Sequence, residues 1–471
     1  MRKQILWNSD WLFARGDTPE KATPVTLPHT WNAKDGQDGG NDYYRGTCLY
    51  TKAFAAPAHS DSEEVWLEFE GVAMTAVVTL NGHELTRHEG GYATFRVNLT
   101  PALAVQNTLT VAVDNGKNRT VYPQKADFTF YGGIYRPVHL LVVPKAHFAL
   151  DYHGAPGLRI TPVLSADLKT AEIHAEAWVA GTAQSVQFTL GEETLSAAVT
   201  DGKAEGTFKL ENVHLWDGVN DPYLYKMQAT LDSGDAVEAN FGCRTIAFDA
   251  EKGFILNGRP YRLCGAARHQ DRQGLGNALT EKEHDEDMAL LREMGANTVR
   301  LAHYQHAQYF YDLCDKYGLV AWAEIPYITE HMPEGRANTL SQMTELVVQN
   351  YNHPSIVCWG LSNEITGSGK TEDLVENHKL LNDLCHKLDA TRPTTMAHIF
   401  MLDANDPLVF LPDIRSYNLY YGWYVGEWDQ NDAWFDEFHK NHPDAVIGLS
   451  EYGADANPAY QSAKPAKGDW S

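Results

Sequence analysis

The chain has 471 residues, 38 of them basic and 62 acidic, and a net charge of -24 argues against nucleic acid and anionic membranes as partners. A hydrophobic content of 43% is that of an ordinary globular protein, and the length divides into roughly three domains. No window approaches the ~18 apolar residues of a membrane span, and Met1 to Asp10 lacks the apolar run of a signal peptide. A cytoplasmic protein is therefore expected. The six cysteines, at 48, 243, 264, 314, 358 and 385, are scattered without a Cys-x-x-Cys pair, which fits buried, reduced thiols and not structural zinc.

From Trp7 to about Val143 the chain is written in short alternating runs such as Glu64-Val-Trp-Leu-Glu-Phe-Glu70, Ala76-Val-Val-Thr-Leu80 and Thr108-Leu-Thr-Val-Ala-Val113. Asn81-Gly82 follows the second run as a hairpin signal. These features predict a β-sandwich of jelly-roll type over residues 1–145. The pattern lapses around Pro144 to Pro156. A second set of short strands follows, including Ala171 to Val179, Ser185 to Leu190 and Leu224 to Leu231, and predicts an immunoglobulin-like sandwich over residues 146–248 with no disulfide and a mechanical role.

After Lys252 strands alternate with helices. The expected strands are Tyr261 to Gly265, Thr298 to Leu301, Val320 to Ile325, Ile356 to Leu361, Thr394 to Ile399, Ile414 to Tyr420 and Ala445 to Ser450. Helical stretches such as Glu281 to Met294, Tyr309 to Tyr317, Leu340 to Tyr351 and Thr371 to Leu388 lie between them. This alternation predicts a (β/α)8 TIM barrel over residues 249–471. Only seven strands are countable before the tail at 463–471, so the barrel is expected to be truncated before its eighth strand.

In a barrel of this kind chemistry sits at the carboxyl ends of the strands. The run Ile356 to Leu361 ends in Asn363 and Glu364, and Ala445 to Ser450 ends in Glu451. Two carboxyls delivered to one pocket suit glycoside hydrolysis, where one protonates the leaving oxygen and the other attacks the anomeric carbon or activates water. No phosphate-binding glycine loop, Ser/His/Asp context or His-x-x-x-His spacing is present, so no cofactor is expected.

Asn352-His-Pro-Ser-Ile-Val-Cys-Trp-Gly-Leu-Ser-Asn-Glu364 and Asn297-Thr-Val-Arg-Leu-Ala-His-Tyr304 resemble the two signatures of glycoside hydrolase family 2, within which the chain looks most like the β-galactosidases. The second departs from its pattern at Leu301 and Gln305. The resemblance spans the chain, since the order of its three domains is also that family's. It implies a retaining mechanism with Glu364 as general acid/base and Glu451 as nucleophile, carboxyls about 5 to 5.5 Å apart, and a raised pKa for Glu364.

The same likeness implies that Asn363 binds the sugar 2-hydroxyl, that His269 and His303 face the sugar, and that Tyr420 hydrogen-bonds the nucleophile. Asp127, in Asp127-Phe-Thr-Phe-Tyr-Gly-Gly-Ile-Tyr-Arg136, resembles a residue that reads galactose hydroxyls, and Trp423 offers a stacking face or packs in the core. Some family members hold magnesium or sodium; Glu330-His331 resembles such a ligand pair only weakly, and no metal is carried over. The expected activity is removal of terminal β-galactose from oligosaccharides by a homo-oligomer. The alternatives are a β-glucuronidase or galacturonidase, because Asn418 to Tyr424 also looks like the glucuronidase tyrosine loop, or an inactive sugar-binding fragment.

Overall fold

A computed structural model describes residues 2–35 and 42–454. The first region is a sandwich of two antiparallel sheets. One sheet orders Lys3–Leu6, Val138–Pro144, Glu63–Phe69 and Phe95–Asn98. The other orders Thr23–Val25, Trp11–Arg15, Thr47–Ala55, Gln106–Asp114, Thr75–Leu80 and His83–Glu89. Period-two alternation places Leu67, Phe69, Val78, Leu80, Leu109 and Val111 on the shared inner face, where all are buried. Asn81 and Gly82 both have positive φ, 52° and 85°, the backbone that a two-residue hairpin turn of the twisted type requires.

The second sandwich packs Leu158–Leu164, Thr170–Ala180 and Lys203–Glu211 against Glu193–Ala198, Ser185–Leu190, Tyr225–Leu231 and Ala236–Phe241. Phe148, Ile173, Phe188, Met227 and Phe241 fill the space between. A small three-stranded sheet of Ile246–Asp249, Gly253–Leu256 and Arg259–Pro260 then leads into the barrel. Its Phe254 and Leu256 pack with Val320, Val357 and Ile414, close to where the barrel strands begin, so this sheet plugs the barrel's amino-terminal end.

Seven parallel strands follow in chain order: Gly265–Arg268, Thr298–Leu301, Val320–Glu324, Ile356–Asn363, Thr394–Ile399, Ile414–Asn418 and Ile447–Glu451. The central strand Ile356–Asn363 is buried along its whole length, as a parallel strand covered by helices should be. Among the described residues the first and seventh strands do not pair with one another. The tail at 463–471, on which the expected truncation rests, lies outside the described residues. The helices Glu281–Glu293, Gln308–Tyr317, Arg336–Asn350, Glu372–Leu388 and Gln430–Asn441 cover the sheet. Local signals set their ends. Thr280 and Glu283 form a reciprocal capping box, the Thr371 hydroxyl accepts from Leu374 N–H at 3.1 Å, and Gly318 closes the second helix at φ 74°.

Two expectations are corrected. The first barrel strand is Gly265–Arg268, not Tyr261 to Gly265, because Tyr261 N–H donates back to Phe254 O at 2.8 Å and keeps that segment in the plug. Gly265 is needed at the new start, since a Cβ there would lie 1.9 Å from Thr298 O. Five cysteines are buried, but Cys264 is exposed, because it precedes an edge strand with no neighbour on its outer side among the described residues. Among the described residues no helix is long and apolar enough to cross a membrane.

The first sandwich is bolted to the barrel by polar contacts. Arg136 Nη2 donates to Gln270 Oε1 at 3.1 Å and to Gln305 O at 2.7 Å, and Asn338 Oδ1 accepts from Tyr122 N–H at 2.9 Å. Between these anchors the segment 123–131 reaches the carboxyl ends of the barrel strands, and Lys125 Nζ donates to Ser368 Oγ at 3.0 Å just beyond Glu364.

Candidate active site

Four side chains at or near strand ends, Glu324, Asn363, His303 and Glu451, converge on one guanidinium. Arg300 lies in the strand Thr298–Leu301, buried to 6% exposure, and its Nε and Nη2 donate to Glu324 Oε2 and Oε1 at 2.9 and 3.0 Å. Nη1 donates to Glu451 Oε1 at 2.6 Å, and Nη2 reaches Asn363 Oδ1 at 2.8 Å. One arginine thus carries two carboxylates and an amide from three other strands. Only a planar fork of donors can do this.

Glu324 is fully buried at the end of the strand Val320–Glu324. Burial drives its pKa up, but Arg300 and His303 outweigh that and hold the carboxyl at about 2. His303 Nδ1 lies 2.6 Å from Glu324 Oε1, which turns Nε2 toward Glu451 at 3.6 Å from Oε1. Tyr420 donates its hydroxyl to Glu451 Oε2 at 2.6 Å, so both oxygens of Glu451 accept a strong bond. Burial, and then the charge of Glu451 itself, keep that phenol protonated.

Glu364 follows the strand Ile356–Asn363 at φ 46°, a left-handed turn that breaks the strand and sends the carboxyl sideways. Asn418 Nδ2 donates to Glu364 Oε1 at 2.9 Å and to Asn363 Oδ1 at 3.2 Å, while Ser450 Oγ donates to Asn418 Oδ1 at 2.7 Å. Burial raises the pKa of Glu364; the Asn418 bond opposes this, and the negative charges of Glu451 and Asp127 reinforce it. The two glutamates therefore sit in different surroundings. Glu364 is lifted toward its protonated form, and Glu451 accepts hydrogen bonds from Arg300 and Tyr420.

A cavity of about 620 Å³ opens on this cluster. Asp127, His269, Arg300, His303, Tyr420 and Glu451 stand on its wall. Asn363 and Glu364 are not on that wall; a hydrogen-bond chain through Asn363 and Asn418 connects Glu364 to Arg300. His269 is neutral near pH 7, since burial and then the neighbouring His303 press its pKa to about 3. Phe128, beside Asp127, sits 5.2 Å from the His269 ring and 6.1 Å from the His303 ring between centroids. Trp423 is half-buried at 6.1 Å from the Tyr424 ring, and it is Tyr424 that lines the cavity. Tyr421 packs against the small cluster of Val409, Tyr417 and Leu419.

The sequence reading did not single out Arg300, Glu324 or Asn418. Arg300 was quoted inside a motif without a role, yet a charge inside Thr-Val-Arg-Leu is itself a signal. Glu324 ends an apolar strand run, the criterion that finds Glu364 and Glu451, whereas Asn418 ends the mixed run Ile-Arg-Ser-Tyr-Asn and carries no such signal. The Glu330-His331 pair does not converge. His331 has one nitrogen 2.6 Å from Tyr327 Oη and the other 2.6 Å from Asp373 Oδ2, and Glu330 lies 3.9 Å from Arg119.

Three family models match in succession: a galactose-binding domain-like module of glycosyl hydrolase 2 over residues 42–152, the glycosyl hydrolases family 2 model over 156–244, and the family 2 TIM barrel domain over 249–465. A β-glucuronidase of Bacteroides fragilis is 36% identical over 512 residues, covering 100% of this chain and 71% of the relative. The crystal structure of an FMN-binding β-glucuronidase from Facaelibacterium prausnitzii L2-6 matches with a TM-score of 0.96 and 40% identity, over 100% of this chain and 75% of that one. That of a putative β-galactosidase from Bacteroides fragilis matches with a TM-score of 0.93 and 34% identity, over 99% and 74%. The share spanned falls to 55% of another curated relative.

Proposed function

Since the chain belongs to glycosyl hydrolase family 2, we propose that it is a retaining β-glycosidase with Glu451 as nucleophile and Glu364 as general acid/base. The observation that carries this is the hydrogen-bond chain that joins Glu364, its pKa raised by burial, to the Arg300 that holds Glu451. Glu364 begins protonated and gives its proton to the leaving oxygen as a Glu451 oxygen bonds the anomeric carbon. The ester removes the charge of Glu451, and with it one of the influences holding the Glu364 pKa up. Glu364, having given up its proton, is now the anion that the second step needs as a general base. It takes a proton from water, the hydroxyl bonds the anomeric carbon, and the bond to Glu451 breaks.

Asn363 has its carbonyl oxygen occupied by Arg300 and Asn418, which leaves its NH2 group to donate to a sugar hydroxyl. Neutral His269, with His303 beside it on the cavity wall, serves as a further hydroxyl ligand.

For the glycone we propose a β-glucuronide, supported by the names of two relatives that match along the whole chain. A β-galactoside is the second reading, favoured by Asp127, an exposed carboxylate on the cavity wall that would repel a sugar acid and accept from neutral hydroxyls. Comparing kcat/KM on nitrophenyl β-glucuronide and nitrophenyl β-galactoside tests the choice. A higher value on the glucuronide supports the first reading, a higher value on the galactoside the second, and turnover of neither by folded protein refutes both.

A further inference from the structure

A second cavity, of about 220 Å³, lies where the immunoglobulin-like sandwich meets the barrel. Arg244 and Arg392 line it with Thr161, Thr245, Thr391 and Asn352, and no carboxylate is on its wall. In a chain of net charge -24 that is an unusual concentration of positive charge. Thr391 and Arg392 precede the strand Thr394–Ile399, and Pro354 precedes Ile356–Asn363. The cavity is therefore at the amino-terminal end of the barrel, opposite the catalytic cluster.

The two arginines are held differently. Arg392 is fully engaged, donating to Asp389 Oδ2 at 2.7 Å, to Ile356 O at 2.8 Å, and to Tyr351 O and His353 O at 2.8 Å each. Arg244 has no carboxylate partner among the described residues. Its Nε donates to Pro354 O and its Nη2 to Ile356 O at 2.6 Å, the same carbonyl that Arg392 uses. Its Nη1 makes no hydrogen bond among the described residues. Two guanidiniums thus meet on one carbonyl, and neither can neutralise the other. Burial and the proximity of Arg392 depress the Arg244 pKa to about 9, the mark of a cation short of a counter-charge.

We propose that this cavity binds a small oxyanion, a phosphate or carboxylate group, held by Arg244 with the Thr245 hydroxyl beside it, the Thr391 hydroxyl being already donated to Asp389. Nη1 and the second N–H of Nη2 form the fork that two oxygens of such a group accept. Because the walls come from both the sandwich and the barrel, the bound anion would tie the two together and stabilise the folded chain in proportion to its occupancy.

The test is calorimetric titration of the intact chain with inorganic phosphate in Tris chloride, with acetate as a second arm and melting temperature followed in parallel. One site per chain is expected, with Kd at or below roughly 1 mM and a melting temperature that climbs with phosphate. Acetate alone binding there would assign a carboxylate as the ligand. In Arg244→Gln the site should vanish while nitrophenyl glycoside turnover is unchanged. Should that variant fail to fold, Thr245→Asp, which supplies a carboxylate from within, should fold and lose the anion response. Absence of binding to the wild-type chain by either anion, or binding that survives in a folded variant, overturns the proposal.

Discussion

Arg300 grips Glu451 at 2.6 Å with one nitrogen while its other two hold Glu324, so the proposed nucleophile is positioned by a residue whose own place is set by a second, fully buried carboxylate. Replacing Arg300 by Met should lower kcat by roughly 100-fold to 1,000-fold. It should also cost about 3 to 5 kcal/mol of stability, because Glu324 is left buried without its partner. The double variant Arg300→Met, Glu324→Met should regain most of that stability in denaturant unfolding but none of the activity. Recovery of turnover in the double variant would refute the positioning role.

The proposed division of labour separates the two glutamates kinetically. Glu451→Gln should trap no covalent glycosyl-enzyme with any substrate. Glu364→Gln should lose roughly 100-fold to 10,000-fold on alkyl glycosides and far less on dinitrophenyl glycosides, whose leaving group needs no proton. Mass spectrometry of the quenched enzyme reads the adduct; finding it in the Glu451 variant would reverse the assignment.

Glu364 must be protonated to act, so its ionisation should set the alkaline limb of the kcat/KM profile. Asp127 contributes to its raised pKa through charge. Removing that charge in Asp127→Asn lowers the Glu364 pKa and should therefore shift the alkaline limb to lower pH. If Asp127 also repels a sugar carboxylate, the same variant should improve the glucuronide-to-galactoside ratio. An unmoved limb would mean that Glu364 is not the group titrating.

Glu324 links the site to stability. Its folded pKa of about 2 lies below the ordinary 4.5, so it stabilises the fold above pH 4.5 and this contribution is lost as pH falls from 4.5 toward 2. The difference corresponds to about 3 kcal/mol. Glu324→Gln should flatten the pH dependence of unfolding across that window. An equally steep dependence in the variant would place the titrating group elsewhere.

The paired glutamates were legible because an apolar strand run that stops on a carboxyl has few other uses. Arg300 was harder to read, since a lone charge in a four-residue strand looks like its solvent face until the sheet curves and that face becomes the interior. The first strand was misplaced for a related reason. Tyr261 to Cys264 has better strand formers than Gly-Ala-Ala-Arg, but residue preference yields to the hydrogen bonds of the plug on one side and the close approach to Thr298 on the other. Cys264 looked like core for the same cause.

The loop that carries Asp127 and Phe128 belongs to the first sandwich, yet it forms part of the catalytic cavity and rests on the histidines of the barrel. The proposed bond-breaking groups therefore sit on the barrel, while the groups proposed to read the sugar are shared between the barrel and a loop of the first sandwich. Such a division lets evolution, or an engineer, exchange sandwich loops to change diet while the hydrolytic engine stays untouched.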